Sequence, residues 1–164
     1  MNKEITINGE KYIKAECKEC EDGEEKSPYE FDNMNKTYIL NGKGGVDNAY
    51  RYIDSYQNGA IKQGNVFRTR EEAGHERDRR KAIHKIKKYI YDNFGYDPTD
   101  WADWENFVSK YVVSYDNDEK EFAFDCYYNF RYYSPIGYLK TKEQGKVIID
   151  NFEDELKIIF NINE

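Results

Sequence analysis

The sequence predicts an α+β fold in which antiparallel, tyrosine-rich sheet packs against two long helices. Two observations carry this prediction: short stretches of alternating polar and apolar residues end in turn residues, and a Thr-led helix start occurs twice. The 16 tyrosines in 164 residues suit a small sheet with one wet face, because the ring can be buried while the hydroxyl stays near water. A chain of this length is expected to form one domain, 1–164.

An N-terminal hairpin and an acidic loop are predicted for residues 1–35. EITINGEKYIKA alternates around Asn8-Gly9, a dipeptide that accepts the positive φ angles of a two-residue turn, so a hairpin is expected at roughly 4 to 14. Residues 16–32 carry eight acids against two lysines and are interrupted by Gly and Pro, which predicts a loop.

A first sheet–helix half is predicted over residues 36–95. KTYIL is strand-like and ends at NGKGG, which lacks the spacing of a phosphate-binding P-loop and is interpreted as a turn. AYRYI and AIKQGNVF continue this pattern, so the three stretches together predict a meandering antiparallel sheet. The helix that follows is expected to start at 70, because Thr69 and Glu72 match a capping box, and to end near Gly95.

A second hairpin–helix half is predicted over residues 96–164. DPTDWADWENF predicts a short helix, and KYVVSYD and EFAFDCYY, joined by a turn at Asn117-Asp118, predict a hairpin with one face on a core and one partly wet. Thr141 and Gln144 start the last helix in the manner of a capping box. The apolar stripe of that helix comprises Ile148, Ile149, Phe152 and Leu156.

The phrases GNVFRTREEA and GYLKTKEQG are interpreted as one strand-to-helix corner used twice, a degenerate strand–helix repeat. Capping explains the shared residues, which favours a structural role over a catalytic one. The likeness fades after the first helical turn. The positions that form the apolar stripe of the last helix correspond in the first helix to Glu76, Arg77, Arg80 and His84. A worn duplication and two convergent corners both remain open.

The helix after Thr69 has an apolar side and a cationic side, as the rotation of about 100° per residue shows. The apolar side holds Ala82, Ile83, Ile86, Tyr89 and Ile90. The opposite side holds Arg77, Arg80, Lys81, His84 and Lys88. Such a face is either solvated or in contact with an anion, whether a phosphate or an acidic patch of another chain.

The charge is unevenly distributed along the chain. Its net charge is −7, but residues 68–88 hold nine Arg and Lys against four Asp and Glu, which leaves −12 for the remainder. Four further acids lie within 97–105. An acidic surface of this extent argues against a general nucleic-acid binder and is open to a basic partner.

No catalytic, cofactor or metal-binding pattern is recognised, so no enzyme activity and no cofactor are expected. Cys17 and Cys20 have the spacing of half a zinc knuckle, but the remaining ligand candidates are Cys126, His75 and His84, and no metal is expected. The chain has no run of 18 apolar residues and no signal-peptide stretch at its start, so no membrane association is expected.

The stretches KTYIL, NGAI, GNVFRTREEA, DW, KYVVSYD and GYLKTKEQ resemble small accessory proteins of phages and prophages of Firmicutes and other low-GC bacteria. In that family a tyrosine-rich sheet precedes a GN-x-F-x-T-x-EEA helix start, a Trp, a Lys-Tyr strand and a final helix, matched here over roughly 36–160. Accessory genes of this kind often encode antagonists of bacterial immunity, including anti-CRISPR proteins. The resemblance therefore implies an inhibitor in the cytoplasm of the bacterial host.

The leading hypothesis is a stoichiometric inhibitor that binds a nucleic-acid-guided defence nuclease. Carboxylates on a rigid scaffold can occupy a groove built for nucleic-acid phosphate, with aromatic side chains as anchors. The predicted partner-binding residues are Asp97, Asp100, Trp101, Asp103, Trp104, Glu105, Asp116, Asp118 and Glu119. The alternative is a nucleic-acid or nucleotide binding module that uses the basic helix 70–90, with Arg77, Arg80, Lys81, His84 and Lys88 as the anion-binding residues.

Overall fold

A computed structural model describes residues 4–7, 10–13, 36–52, 54–99, 108–128 and 133–162. The chain divides into two compact units, Met1–Asp32 and Asn33–Glu164. The described residues of the second unit form three α-helices, a three-stranded and a two-stranded antiparallel sheet. The predicted α+β class is therefore confirmed.

The first unit contains the N-terminal hairpin. Strand β1 (Glu4–Ile7) pairs antiparallel with strand β2 (Glu10–Ile13), which confirms the hairpin predicted at 4 to 14. The intervening Asn8-Gly9 turn lies outside the described residues, and so does the acidic segment 16–32 with its two cysteines.

The second unit begins with a small sheet in the order β4-β3-β5, built from β3 (Tyr38–Leu40), β4 (Val46–Asn48) and β5 (Val66–Phe67). The predicted NGKGG turn joins β3 to β4. Its shape is fixed by Asn41, whose Oδ1 accepts from the backbone N–H groups of Lys43 and Gly45 at 2.9 and 2.8 Å. The sheet is therefore antiparallel, as predicted, but very short.

The predicted continuation of the sheet through AYRYI and AIK is wrong. Ala49–Arg51 form a 3-10 helix and AIK belongs to helix α1 (Asp54–Lys62), while Ile53 lies outside the described residues. The amide of Gln57 donates to the carbonyls of Ala49 and Tyr52, at 3.0 and 2.9 Å, and so ties the helix to the turn before it. These hydrogen bonds of one polar side chain span eight and five residues, and they stabilise a helical conformation that the strand propensity of the tyrosines does not predict.

Both Thr-led helix starts are confirmed, in helix α2 (Arg70–Phe94) and helix α3 (Lys142–Phe160). In α2 the capping box is complete: Thr69 Oγ1 accepts from Glu72 N at 3.1 Å, and Glu72 Oε2 accepts from Thr69 N at 3.3 Å. Gly95 ends α2 in the left-handed conformation, at φ 74°.

The second corner keeps only half of the box. Thr141 Oγ1 accepts from Gln144 N at 3.3 Å, and Gln144 Oε1 accepts from Lys140 N, one residue before the cap, at 2.9 Å, as Glu72 Oε2 does from Arg68 N at 3.0 Å. The same oxygen accepts from the Tyr96 hydroxyl, also at 2.9 Å. Gln144 has therefore been recruited into a long-range contact that Glu72 does not make.

Replacing either cap threonine with alanine is expected to lower the free energy of unfolding by about 1 kcal/mol, because one N–H group at each helix start loses its acceptor. Urea denaturation of Thr69→Ala and Thr141→Ala measures this. Two variants as stable as the wild type would show that the repeated Thr does not stabilise the helices.

The main core lies between α2, α3 and a hairpin of strands β6 (Lys110–Asp116) and β7 (Glu121–Tyr127). The register places Val113 opposite Phe124 and puts the predicted alternating residues on one face of the hairpin, although Cys126 on that face is exposed. The buried residues of this core are Ala82, Ile86, Ile90, Tyr96, Val113, Ile136, Leu139, Ile148, Phe152, Leu156 and Ile159. The predicted stripes of α2 and α3 are therefore core stripes.

The prediction that one face of the hairpin is exposed to solvent is only partly correct. Val112 and Lys110 alternate with the core-facing residues, yet both are fully buried. The Lys110 ammonium donates to the carbonyl of Val108 at 2.8 Å, which offsets part of the cost of burying a charge. The hairpin is therefore exposed on its outer face mainly towards the turn.

Tyr96 gives the core a titratable hydroxyl. Burial raises the pKa of Tyr96 to about 12, above its ordinary value of 10. A tyrosine is neutral when protonated, so the folded state keeps this proton at pH values where the unfolded chain has lost it. The stability that Tyr96 contributes is therefore complete below about pH 10 and is lost as the pH rises through about 12.

We expect the free energy of unfolding of the wild type to fall more steeply between pH 10 and 12 than that of Tyr96→Phe. At neutral pH the variant should lose about 1 kcal/mol, since the hydroxyl no longer donates to Gln144. Urea denaturation across this pH range is the measurement. Parallel curves for the two proteins would contradict the assignment.

Candidate functional site

Nine residues were predicted to bind a partner. Among those that the structure describes, exposed carboxylates are densest at the turn of the β6–β7 hairpin. Asp116, Asp118 and Glu119 are all exposed. Asp116 Oδ1 accepts from the backbone N–H groups of Asp118 and Glu119, at 2.8 and 3.1 Å. These bonds fix the Asp116 carboxylate and the backbone of the turn, from which the Asp118 and Glu119 side chains extend into solvent.

The outer face of the hairpin opposes like charges. The register pairs Asp116 with Glu121 across the strands, and Asp125 lies on the same face further along β7. Like charges directly opposite one another destabilise an antiparallel pair. Lys120 is the only cation in the stretch 116–125. The hairpin therefore concentrates negative charge at a cost to its own stability.

Two clefts flank this turn, and Tyr115 lines both. One, of about 480 Å³, has Ser114 and Ala123 among its lining residues together with the carboxylates of Asp116, Asp118 and Asp125. The other, of about 610 Å³, is lined in part by Tyr133, Phe160 and Ile162. The Tyr133 side chain is 79% exposed. Carboxylates beside an exposed aromatic groove are a composition suited to binding a cationic protein surface.

Asp97 is the one predicted acid of the 97–105 group that the structure describes. Its Oδ1 accepts from the backbone N–H and the hydroxyl of Thr99, and these bonds hold the pKa of Asp97 below its ordinary value. The carboxyl is exposed and charged at neutral pH. The other members of the group lie outside the described residues: Asp100, Trp101, Asp103, Trp104 and Glu105.

The cationic side of α2 is largely paired with acids of the same helix. Arg77 makes a bidentate pair with Asp78 at 2.8 Å, which lowers the pKa of Asp78. Arg80 pairs with Glu76 at 2.8 Å, and its Nη1 donates to the side chain of Asn65. The Nζ atom of Lys81 lies 3.9 Å from Oδ1 of Asp78, and the ammonium of Lys88 pairs with the carboxylate of Asp92. Local acids thus reduce the field that this helix projects outward.

The predicted anion-binding residues divide into two groups in the structure. Arg77, Arg80, Lys81 and His84 line one cleft together with Leu40 at the end of β3 and with Asn41 and Gly44 of the β3–β4 turn. Lys88 does not line it. Sequence reasoning missed Leu40, Asn41 and Gly44, because only packing of the first sheet against α2 brings them there. The register also places Glu121 opposite Asp116, next to the predicted acids of the turn.

Sequence reasoning considered three ligand candidates for a metal beside the cysteine pair. Cys126 is exposed on β7, and His75 and His84 both lie on α2 with exposed side chains. No cluster of three or more His, Cys, Asp and Glu side chains within the described ranges is placed to hold a metal ion.

Comparisons of the chain with protein-family models, with curated proteins and with solved structures find no match. None of the helices that the structure describes combines the length and apolar composition needed to span a bilayer.

Proposed function

We propose that the protein is a phage-encoded, anti-CRISPR-like antagonist of bacterial immunity, which binds a nucleic-acid-guided defence nuclease stoichiometrically through the acidic turn of the β6–β7 hairpin. The observation that carries the proposal is the cross-strand pairing of Asp116 with Glu121. The hydrogen bonds that Asp116 accepts within the turn account for that residue, but Glu121 opposite it weakens the hairpin, which supports a role for the Glu121 carboxylate in binding.

The chemistry of the surroundings supports a protein partner. A nuclease groove that accepts nucleic-acid phosphate is lined with Arg and Lys, and fixed carboxylates complement it while accelerating association. Tyr115 lines the cleft that holds the carboxylates, and Tyr133 lines the neighbouring cleft together with Lys120; both tyrosines supply aromatic surface of the kind that anchors protein interfaces. The resemblance to phage accessory proteins supplies the class of target.

The alternative, a nucleic-acid module built on α2, receives less support. Nucleic-acid affinity comes mainly from cations that neutralise phosphates. In α2 the side chains of Arg77, Arg80 and Lys88 are engaged by Asp78, Glu76 and Asp92 respectively. A nucleic-acid strand that lies along α2 would have to displace these ion pairs or pass over carboxylates.

A cleavage assay tests the proposal. Guide-loaded CRISPR nucleases from low-GC bacteria are titrated with the protein before and after target DNA is added. We expect one nuclease to be inhibited at one protein per enzyme, with weaker inhibition when DNA is bound first and at higher salt. Inhibition at far lower ratios would indicate an enzyme, and retention of the protein on heparin rather than on an anion-exchange resin would favour nucleic-acid binding. Absence of inhibition across the panel would overturn the proposal.

A further inference from the structure

A cleft of about 290 Å³ lies between the β3–β4 turn and the cationic side of α2. Two successive turns of the helix contribute Arg77, Arg80, Lys81 and His84 to its lining. No carboxylate belongs to the described residues that line it, although the helix carries acids nearby. The cleft is therefore an open depression around which three cationic side chains and one histidine of α2 lie.

The ion pairs of α2 position the two guanidinium groups and still leave donors for a ligand. Arg77 uses Nε and Nη2 on Asp78, whereas Arg80 uses Nε on Glu76 and Nη1 on Asn65. A guanidinium has five N–H donors in a rigid fork. Each arginine thus keeps N–H groups that no described residue takes, on a side chain whose orientation is already fixed. Such groups recognise oxyanions with little further loss of entropy.

The opposite wall of the cleft is a fixed backbone turn. Asn41 holds it together through its side-chain bonds to Lys43 and Gly45, and donates to Asp47 at 2.8 Å. Gly44 adopts φ 77°, and a Cβ at this residue would meet no atom within 4 Å. The wall at this position is thus bare backbone with open space beside it, which lets a ligand approach closely.

We propose that this cleft binds the phosphate group of a small phosphorylated molecule, of which a nucleoside monophosphate is a representative. Its volume lies at the lower end of the range for small-molecule sites. Exposed acids at the start of the same helix, Glu71 and Glu72, repel a longer polyanion that extends beyond the cleft in that direction. The site uses elements other than the β6–β7 hairpin and does not depend on the inhibitor function.

Lys88 provides a matched control for this proposal. It lies on the same side of α2 as Lys81 and both side chains are well exposed, at 65% for Lys81 and 63% for Lys88. Only Lys81 lines the cleft. Lys81→Gln and Lys88→Gln therefore remove the same charge from the same helix face, and neither removes buried surface on which folding depends.

Isothermal titration calorimetry of the full chain at low ionic strength tests the proposal with three probes: inorganic phosphate, a nucleoside monophosphate and a single-stranded oligonucleotide. We expect the nucleotide to bind, and Lys81→Gln and Arg80→Gln to weaken it by about tenfold each, since each removes a charge-assisted contact. Lys88→Gln should leave the affinity unchanged. Equal affinity for phosphate alone would identify the phosphate as the whole ligand and still support the site.

Three results would overturn it. The first is no heat of binding for phosphate or nucleotide. The second is an equal loss in Lys88→Gln and Lys81→Gln. The third is an affinity for the oligonucleotide far above that for the nucleotide, with a steep salt dependence, which would assign the helix to a polyanion. If Arg80→Gln fails to fold, the pair of lysine variants still decides the matter.

Discussion

Replacing Gly137 with alanine is expected to destabilise the protein by about 3 to 5 kcal/mol, a large share of the stability of a domain of this size. Gly137 is buried and adopts φ 86°, a backbone angle that residues other than glycine rarely adopt. A Cβ at this position would lie 2.4 Å from the carbonyl oxygen of Pro98 and 2.6 Å from its carbonyl carbon. Backbone atoms cannot turn aside as a side chain can, so the two segments must separate.

The contact matters because it ties the loop before α3 to the end of α2. Tyr138 N donates to the same Pro98 oxygen at 2.8 Å. Gly64→Ala is the matched control, since Gly64 also has positive φ, 64°, but a Cβ there would have no atom within 4 Å. It should cost about 1 kcal/mol through backbone strain alone. Equal midpoints of urea denaturation for the two variants would contradict the steric explanation.

Leu156→Ala is expected to cost about 3 kcal/mol. Leu156 is fully buried in the core cluster of α3, and its truncation removes apolar contacts and leaves a cavity. His84 occupies the corresponding position of α2, counted from the cap threonine, and its side chain is exposed. His84→Ala should therefore change the free energy of unfolding by less than about 0.5 kcal/mol.

This pair of variants tests how deep the strand–helix repeat goes. If the two helices were buried in the same way, both substitutions would destabilise the fold to a similar extent, and denaturation midpoints would show it. The structure predicts a large difference, because the two helices share their first turn and then bury different sides. The repeat is thus a shared corner rather than a shared packing unit.

Local signals made the two long helices predictable. A Thr-led start precedes each helix, and a residue in the left-handed conformation ends each one, Gly95 in α2 and Asn161 in α3, so local residues determine both helices. Helix α1 lacked such a signal: DSYQNGAIK has a glycine inside it, and Ala60 is the buried apolar residue that its described side chains contribute. It forms where Gln57 finds carbonyl partners, which the sequence does not reveal.

The candidate sites were predictable to different degrees for the same reason. The acidic turn follows from adjacent residues of one hairpin, so the sequence identified Asp116, Asp118 and Glu119. The cleft beside α2 depends on packing of the β3–β4 turn against a helix some forty residues later in the chain. The sequence could identify the cationic side but not the wall that faces it.

Charge reversal at the two acidic groups separates the competing surfaces. Changing Asp97, Asp100, Asp103 and Glu105, or Asp118 and Glu119, to lysine should weaken binding to the target nuclease and reduce its salt dependence. Reversing Arg77, Arg80, Lys81 and Lys88 should matter less. The opposite ranking would favour anion recognition by α2 as the inhibitory mechanism.

The most direct test of the acidic-hairpin proposal is a paired measurement on Glu121→Lys, namely its melting temperature and its affinity for the inhibited nuclease. The substitution removes the repulsion from Asp116 and places opposite charges across the hairpin, so the protein should become more stable. The account predicts that the same variant loses affinity for the nuclease. A variant that is more stable and binds as tightly as the wild type would contradict it.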